Sequence, residues 1–346
     1  MTKEGKMVRI NINTLCISLL IIIGLSFPCS AQDGKYRIDV LQVTDIEQFD
    51  YCMENFLKVL GSNGIIQGKN LVLNRRIIDF DLDKGGLWKK MGVLFQIKKQ
   101  ASLIVKERPD LVLTIGTPPT KYAKDKIIKA GIPLVFTAVA SPMAAGCKSL
   151  TVAGPGFTGA TMYMDIKNFL KITHLAFPEM KTFGVIHSDN ESALSQLEQL
   201  KGAEGFQEMT FIGREVNKKD SIIPAAQELI KQGAEAFLIP IDNYYGMRKN
   251  QPCIDLAKIS LTHKIPIISM MYYKNPGAVL YIGSDIYKIG GLSAGHVVKI
   301  LKEGASPAEL PILRQEDLSI MVDVDRLKAM QIELPLQILQ LAKGIK

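Results

Sequence analysis

The sequence predicts a doubly wound α/β protein of two lobes, and three observations lead there. From residue 36 short β-branched runs alternate with longer amphipathic stretches. The alternation stops at a segment rich in Gly, Ser and Pro, Ser141–Gly159, and then starts again. The tail adds two further strand candidates with a long helix between them. Near-continuous apolar strands separated by helices are the pattern of a parallel sheet covered on both faces. Two such series make two sheets, and a chain of 346 residues has the length for two domains of about 150 each. Ligands of open parallel sheets sit beyond the carboxyl ends of the strands, so a cleft between the lobes is the expected site.

The first series runs Arg37–Val43, helical Phe49–Leu60, Asn70–Ile78, helical Leu87–Val105, Leu111–Ile115, helical Pro119–Lys129 and Pro133–Val139. Gly64, Gly68, Gly131 and the Pro109-Asp110 pair punctuate it as turns. On Leu87–Val105 the residues Leu87, Met91, Leu94 and Ala101 make the inward face, and Lys89, Lys90, Lys98 and Lys99 a solvated one. The second series runs through helical Asp165–Ala176, Thr182–His187, helical Ser192–Lys201, Met209–Arg214, helical Ser221–Gln232, Ala236–Ile239, helical Cys253–His263 and Ile265–Met270.

In the tail, strand Ala278–Ile282 precedes helix Ile286–Leu301, where Gly290, Gly291, Ala294 and Gly295 permit close packing. Strand Leu318–Val322 and helices Asp325–Met330 and Pro335–Leu341 follow. If Ala278–Leu301 returns to the first lobe and Leu318 onward to the second, the chain crosses three times and forms a hinge. The expected division is 32–141 plus 278–312 for the first lobe and 142–277 plus 313–346 for the second.

Residues 1–31 read as a secretory signal. Lys3, Lys6 and Arg9 precede an apolar run from Leu15 to Phe27, then Pro28, Cys29, Ser30 and Ala31. The run is shorter than the roughly 20 residues that span a bilayer. Cleavage after Ala31 leaves a chain starting near Gln32, located outside the cytoplasm. Lipidation on Cys29 is the alternative, disfavoured because Pro28 stands where a small residue usually precedes a lipidated cysteine. The mature chain then keeps Cys52, Cys147 and Cys253, which allow one disulfide without saying which. No cysteine or histidine spacing suits a metal centre. The net charge of +8 is spread along the chain without a basic, aromatic-interleaved stripe, so no nucleic-acid partner is expected.

Gly154-Pro155-Gly156-Phe157-Thr158-Gly159 satisfies G-x-G-x-x-G. It follows a loop and Pro155 removes an amide, so it reads as a crossover between lobes and not as a nucleotide cradle; no cofactor is expected. Gly116-Thr117-Pro118 follows an apolar strand and opens a helix, which places backbone N–H groups and the Thr117 hydroxyl where a ligand carboxylate would sit, or where they serve as a plain helix cap. Ser141 ends the next strand, facing the same cleft or serving as a turn residue. Asp242, Asn243 and Asp285 follow strands at the cleft lip, positioned for a ligand ammonium or as helix caps. Asn190 and Ser192 occupy the loop after Thr182–His187, for ligand contact or for turn formation. His187 has neither an elbow nucleophile nor a paired carboxylate beside it, so no catalysis is expected.

A series of short motifs resembles one family in order. These are Phe49-Asp50, Asn55-Phe56-Leu57, Leu60–Gly64, Gly68–Leu71, Arg108–Val112 with Gly116-Thr117-Pro118, and Ile132–Phe136 with Ser141-Pro142. The second half continues with Phe157-Thr158-Gly159, Pro178 ahead of Phe183–Ile186, Pro240–Asn243, Lys264-Ile265-Pro266, Gly283–Tyr287, Pro307–Pro311 and Ile332–Pro335. From Lys35 to Leu341 the chain resembles the ABC-transporter substrate-binding proteins of the tryptophan/tyrosine type. The resemblance implies a type I periplasmic-binding-protein fold and a monomer that binds a small molecule and delivers it to an ABC permease at the membrane. It also implies a ligand-facing loop at Gln42, Thr44 and Asp45. The chain departs from the family at Ser141-Pro142 (usually Asp-Pro), at Gly156-Phe157 (usually Asn before the Thr-Gly) and at Ser192-Ala193 (usually Asn-Ser). Amides at Thr117 for an anion, with Asp242 and Asp285 for a cation, make an amino acid or derivative the expected ligand, and the departures leave no commitment to an aromatic one. An extracytoplasmic sensor that presents its ligand to a signalling receptor would have the same fold.

Overall fold

The computed structural model describes residues 35–78 and 86–345; the expected signal segment and Cys29 lie outside the described residues. In chain order the first lobe contains β1 (Tyr36–Val43), α1 (Glu47–Ser62), β2 (Leu71–Ile78), α2 (Gly86–Glu107), β3 (Leu111–Ile115), α3 (Thr117–Lys129), β4 (Leu134–Val139) and β5 (Phe157–Thr161). The chain then builds α4 (Ile166–Ala176), β6 (Thr182–His187), α5 (Glu191–Gly202), β7 (Thr210–Glu215), α6 (Ile223–Lys231), β8 (Ala236–Ile239), α7 (Asn243–His263), β9 (Ile267–Ser269) and β10 (Leu280–Gly283) in the second lobe. It returns for α8 (Ile286–Glu303) and β11 (Leu313–Arg314), then closes the second lobe with β12 (Ser319–Asp323), α9 (Val324–Met330), α10 (Leu336–Leu341) and β13 (Lys343–Ile345).

Both sheets are mostly parallel, with most strands joined through helices, and the strand order is β11-β5-β4-β3-β1-β2 in the first and β13-β12-β10-β9-β8-β6-β7 in the second. Only β12, which follows a long return, runs antiparallel to its neighbour β10. The period of two along β1 sends Ile38 and Val40 to the face covered by α1 and α8, and Leu41 and Val43 to the face covered by α2 and α3. Both faces of the second sheet are packed in the same way, around Phe183, Val185 and Leu238 on one side and Ile186, Phe237 and Ile239 on the other.

The stretch read as a loop up to Gly159 contains β5, the strand next to β4 in the first sheet. A Cβ on Gly159 would stand 2.1 Å from the Phe136 carbonyl oxygen and 2.5 Å from its ring, so a glycine is what lets the two strands meet there. The G-x-G-x-x-G run is accordingly a turn into this strand, with Gly156 at φ 75°, and not a crossover between lobes. The first lobe thus extends through Thr161 and not to 141. Leu280 pairs with Ile268, which keeps Ala278–Ile282 in the second sheet, and Leu313 pairs with Ala160, which keeps residue 313 in the first. The three crossings follow β5, β10 and β11.

Two packing expectations also change. On α2 the buried face is Ile97, Ala101 and Ile104, whereas Met91 is exposed; Lys98 and Lys99 are solvated as expected, and the side chains of Leu87, Lys89 and Lys90 lie outside the description. Cys52, Cys147 and Cys253 are free and sit in three separate apolar clusters, so they form no bridge with one another. Burial pushes their thiols up to about 12, about 11 and about 12 respectively.

Candidate ligand-binding site

The carboxyl ends of β1, β3, β4 and β8 deliver Val43, Ile115, Ala138 and Ile239 to one cavity between the lobes. Counted with the space open to solvent, it measures about 670 Å³. The first turns of α1, α3, α5 and α7 line it through Gln48 and Phe49, Thr117, Ser192, and Asn243. Helix N-termini carry partial positive charge, so four of them around one cavity favour an anionic group there, although Asn190 and Asp242 already cap two of them. The remaining wall, including Ile46, Ile241, Tyr245 and Met271, is mostly apolar. A neighbouring groove shares Val43, Pro118, Asn190 and Asn243 with the cavity and adds Leu94, Ile97, Tyr122 and Leu194, giving it an apolar annex.

Thr117 is the best-placed of the expected residues. Gly116 at φ 89° turns the chain from β3 into α3, and the Thr117 hydroxyl meets the Ser192 hydroxyl of the other lobe at 3.3 Å. The amide donors are fewer than the helix start suggests, because Pro118 and Pro119 have no N–H. Asn190 caps α5 by accepting from the amides of Ser192 and Ala193, so its side chain is held by the helix while it lines the cavity. Beside the annex the two lobes meet at Glu191, whose Oε1 accepts from Lys121 Nζ at 2.9 Å and from the Tyr122 hydroxyl at 2.8 Å.

Asp242 lines the cavity, but three acceptor positions of its carboxylate are taken by the Ser188 amide (2.6 Å), the Ser188 hydroxyl (2.8 Å) and the Tyr244 amide (2.9 Å). Its first role is to cap α7 and bind it to the β6 loop, which leaves about one acceptor position for a ligand. Asn243 lines both the cavity and the annex.

Four expected residues stand elsewhere. Asp285 caps α8 through the Tyr287 amide at 3.0 Å, at the second crossing, and does not line the cavity. The Ser141 hydroxyl accepts from the Ala144 amide and serves its turn. Gln42 lies inside the first lobe between Arg75 Nε (2.7 Å) and the Thr44 carbonyl (3.0 Å). Thr44, at φ 73°, is buried beside it without lining the cavity.

Two residues that sequence reasoning passed over do line it: Gln48 in the first turn of α1, and Asn275 between β9 and β10. Their type and spacing carry no motif; what marks them is burial in a cavity. His187 is occupied, its Nδ1 within 3.0 Å of the Ser188 carbonyl. Among the described residues no group of three or more His, Cys, Asp or Glu could hold a metal ion, and no helix is long and apolar enough to cross a membrane.

The chain is similar over 338 residues to a tyrosine-binding protein of Clostridioides difficile strain R20291, at 25% identity and 92% coverage of both chains. Among solved structures it resembles a conserved domain protein of Vibrio cholerae (TM-score 0.75, 23% identity), and an ABC domain from Streptococcus pneumoniae in complex with L-Trp (TM-score 0.76, 18% identity). Each match covers 90% of this chain and 100% of the other. These likenesses agree with the two parallel sheets in giving a type I periplasmic-binding-protein fold. Residues 39–346 match the model of the ABC transporter substrate binding proteins, and the chain belongs to that family.

Proposed function

We propose that the protein is exported, closes its two lobes on an amino acid or a small amino-acid derivative, and hands that ligand to the permease of an ABC uptake system. The supporting observation is the pair of hydroxyls, Thr117 and Ser192, that face each other from opposite lobes among four helix N-termini. A carboxylate set beside the pair accepts from both hydroxyls once they give up their bond to each other, and is favoured by the helix dipoles, while the apolar wall and annex receive the side chain. Because one hydroxyl belongs to each lobe, the ligand gains its full bonding only when the lobes are together, which couples binding to closure. Relatives described as tyrosine-binding and as complexed with L-Trp support amino-acid chemistry.

A thermal-shift screen of the purified protein against amino acids, sugars, nucleobases and small peptides tests the reading. A specific ligand at a hundredfold excess over its Kd stabilises by about 2.7 kcal/mol. Stabilisation by a sugar or nucleobase and by no amino acid rejects it. Mass spectrometry of the exported fraction is expected to find a chain beginning near Gln32; a diacylated Cys29 would instead make the protein a lipoprotein.

A further inference from the structure

Two buried oxygens in the cavity have no hydrogen-bond partner: Gln48 Oε1 and Asn275 Oδ1. Gln48 is 4% exposed and Asn275 1%. An unbonded buried carboxamide oxygen costs stability, so two in one cavity call for a reason. The orientation of Asn275 follows from its neighbours. The Ser269 hydroxyl has one proton and donates it to the Met271 carbonyl at 3.1 Å, so whatever faces the Ser269 oxygen must be a donor. Asn275 Nδ2 is that donor, at 3.2 Å, which leaves Oδ1 as the open end of the amide. The residue is also anchored through its carbonyl, which accepts from the Tyr281 hydroxyl at 2.7 Å. Gln48 approaches from the other lobe, and a Cβ on Gly246 would stand 3.0 Å from its Oε1, so the glycine makes room for this side chain.

We infer that Gln48 and Asn275 form a specificity-determining pair, one from each lobe, that accepts the N–H groups of a protonated amine on the ligand. The inference rests on the reading of the cleft as an amino-acid site and assigns its amine end. Carboxamide oxygens alone would also accept from a hydroxyl. Asp242 decides for an amine, because it places a negative charge in the same cavity, and a desolvated ammonium needs both acceptors and a counter-charge. Thr117 and Ser192, as donors, hold the carboxylate, and the two sets together read both charged ends of an amino acid.

Calorimetry on the purified protein tests this with L-tyrosine and L-tryptophan, their deaminated acids 3-(4-hydroxyphenyl)propanoate and 3-(indol-3-yl)propanoate, and the decarboxylated amines tyramine and tryptamine. Gln48→Met and Asn275→Leu are expected to lose about tenfold to a hundredfold in affinity for the amine-bearing ligands, the worth of a hydrogen bond to a charged group. Affinity for the deaminated acids should not change. In the ligand-free protein Gln48→Met should melt at or above the wild-type temperature, because it removes an unbonded buried oxygen; a clear drop would mean that the carboxamide is structural and would overturn the inference. Variants that keep the wild-type preference for amino acid over deaminated acid also overturn it and leave the amino-acid reading standing. A wild type that binds tyramine or tryptamine through the pair but neither L-tyrosine nor L-tryptophan, and that no amino acid of the thermal-shift screen stabilises, supports the pair and breaks the functional reading.

Discussion

Two seams in this molecule are built from opposite materials. Inside the first lobe, α1 packs on α8 almost backbone to backbone: a Cβ on Gly290 would stand 2.0 Å from the Cys52 carbonyl oxygen, and one on Gly291 2.6 Å from Asn55 Nδ2. Between the lobes, Glu191 meets Lys121 and Tyr122 beside the annex, and the Thr117 and Ser192 hydroxyls face each other. The first seam is close-packed around its glycines, with a hydrogen bond from Asn55 Nδ2 to the Tyr287 carbonyl across it, so parting it would leave a gap. The second is held at this point by polar contacts that water can replace, a partly buried ion pair and a hydroxyl pair, while Met271 and Tyr273 of the second lobe pack against the first lobe's core. The proposed closure of the lobes on a ligand would use both, rigid lobes and contacts between them that water can replace.

The largest test breaks the close-packed seam. Gly290→Ala forces a methyl group into the Cys52 carbonyl and should cost about 3 kcal/mol in denaturant unfolding, at the upper end of overpacking effects. Gly295→Ala, five residues further on the same helix, meets nothing within 4 Å and should instead stabilise by up to about 1 kcal/mol. Equal effects of the two would show that α8 is not pressed on α1.

Next is Asp242→Ala, which strips three donors of their acceptor at the site's edge. It should destabilise by roughly 2–3 kcal/mol, combining a lost cap with a buried amide left unbonded. Measuring its melting temperature beside its affinity separates this structural loss from any loss of ligand contact.

Acid probes the first lobe more gently. Burial holds the His296 imidazole below its usual value; Nε2 lies 2.8 Å from the Pro311 carbonyl and Nδ1 is buried without a partner. In the unfolded chain this ring takes up a proton near pH 6.5, so below that pH the unfolded state binds more protons than the folded one. Stability should therefore fall as the pH drops from about 6.5 toward the folded-state value, by up to about 1.4 kcal/mol per pH unit, and level off beneath it. His296→Gln should flatten that part of the curve, and an unchanged slope would exclude His296 as its source.

The smallest expected effect is at the seam between the lobes. Glu191→Ala removes the Lys121 and Tyr122 contacts and should leave the unfolding free energy within about 1 kcal/mol of wild type, while shifting the ligand-free protein toward an open form of larger radius of gyration in small-angle scattering. A large fall in melting temperature would make this seam structural and erase the contrast.

What was legible in the sequence follows from period and spacing. Strands such as Leu111–Ile115 and helices such as Ile286–Glu303 announce themselves by apolar pattern, and the repeated series announces two sheets. The strand at Phe157–Thr161 did not, because its central glycine reads as a turn until Phe136 is seen lying against it. Asp242 and Asp285 were visible as acidic residues after strands, but a helix cap and a ligand contact look the same in one dimension. Only the folded chain shows that Asp285 is a cap at the hinge and that Asp242 is a cap with one acceptor position to spare.

The sequence by itself determined the class of fold, the two-lobed plan and the family motifs, because these depend on local period, turn chemistry and short spacings along the chain. Only the tertiary structure decided which polar groups are buried without partners. Gln48 and Asn275 are 227 residues apart and belong to opposite lobes, yet they line one cavity. Whether a buried carboxamide is satisfied depends on every neighbour around it, and those neighbours are assembled only when distant segments meet.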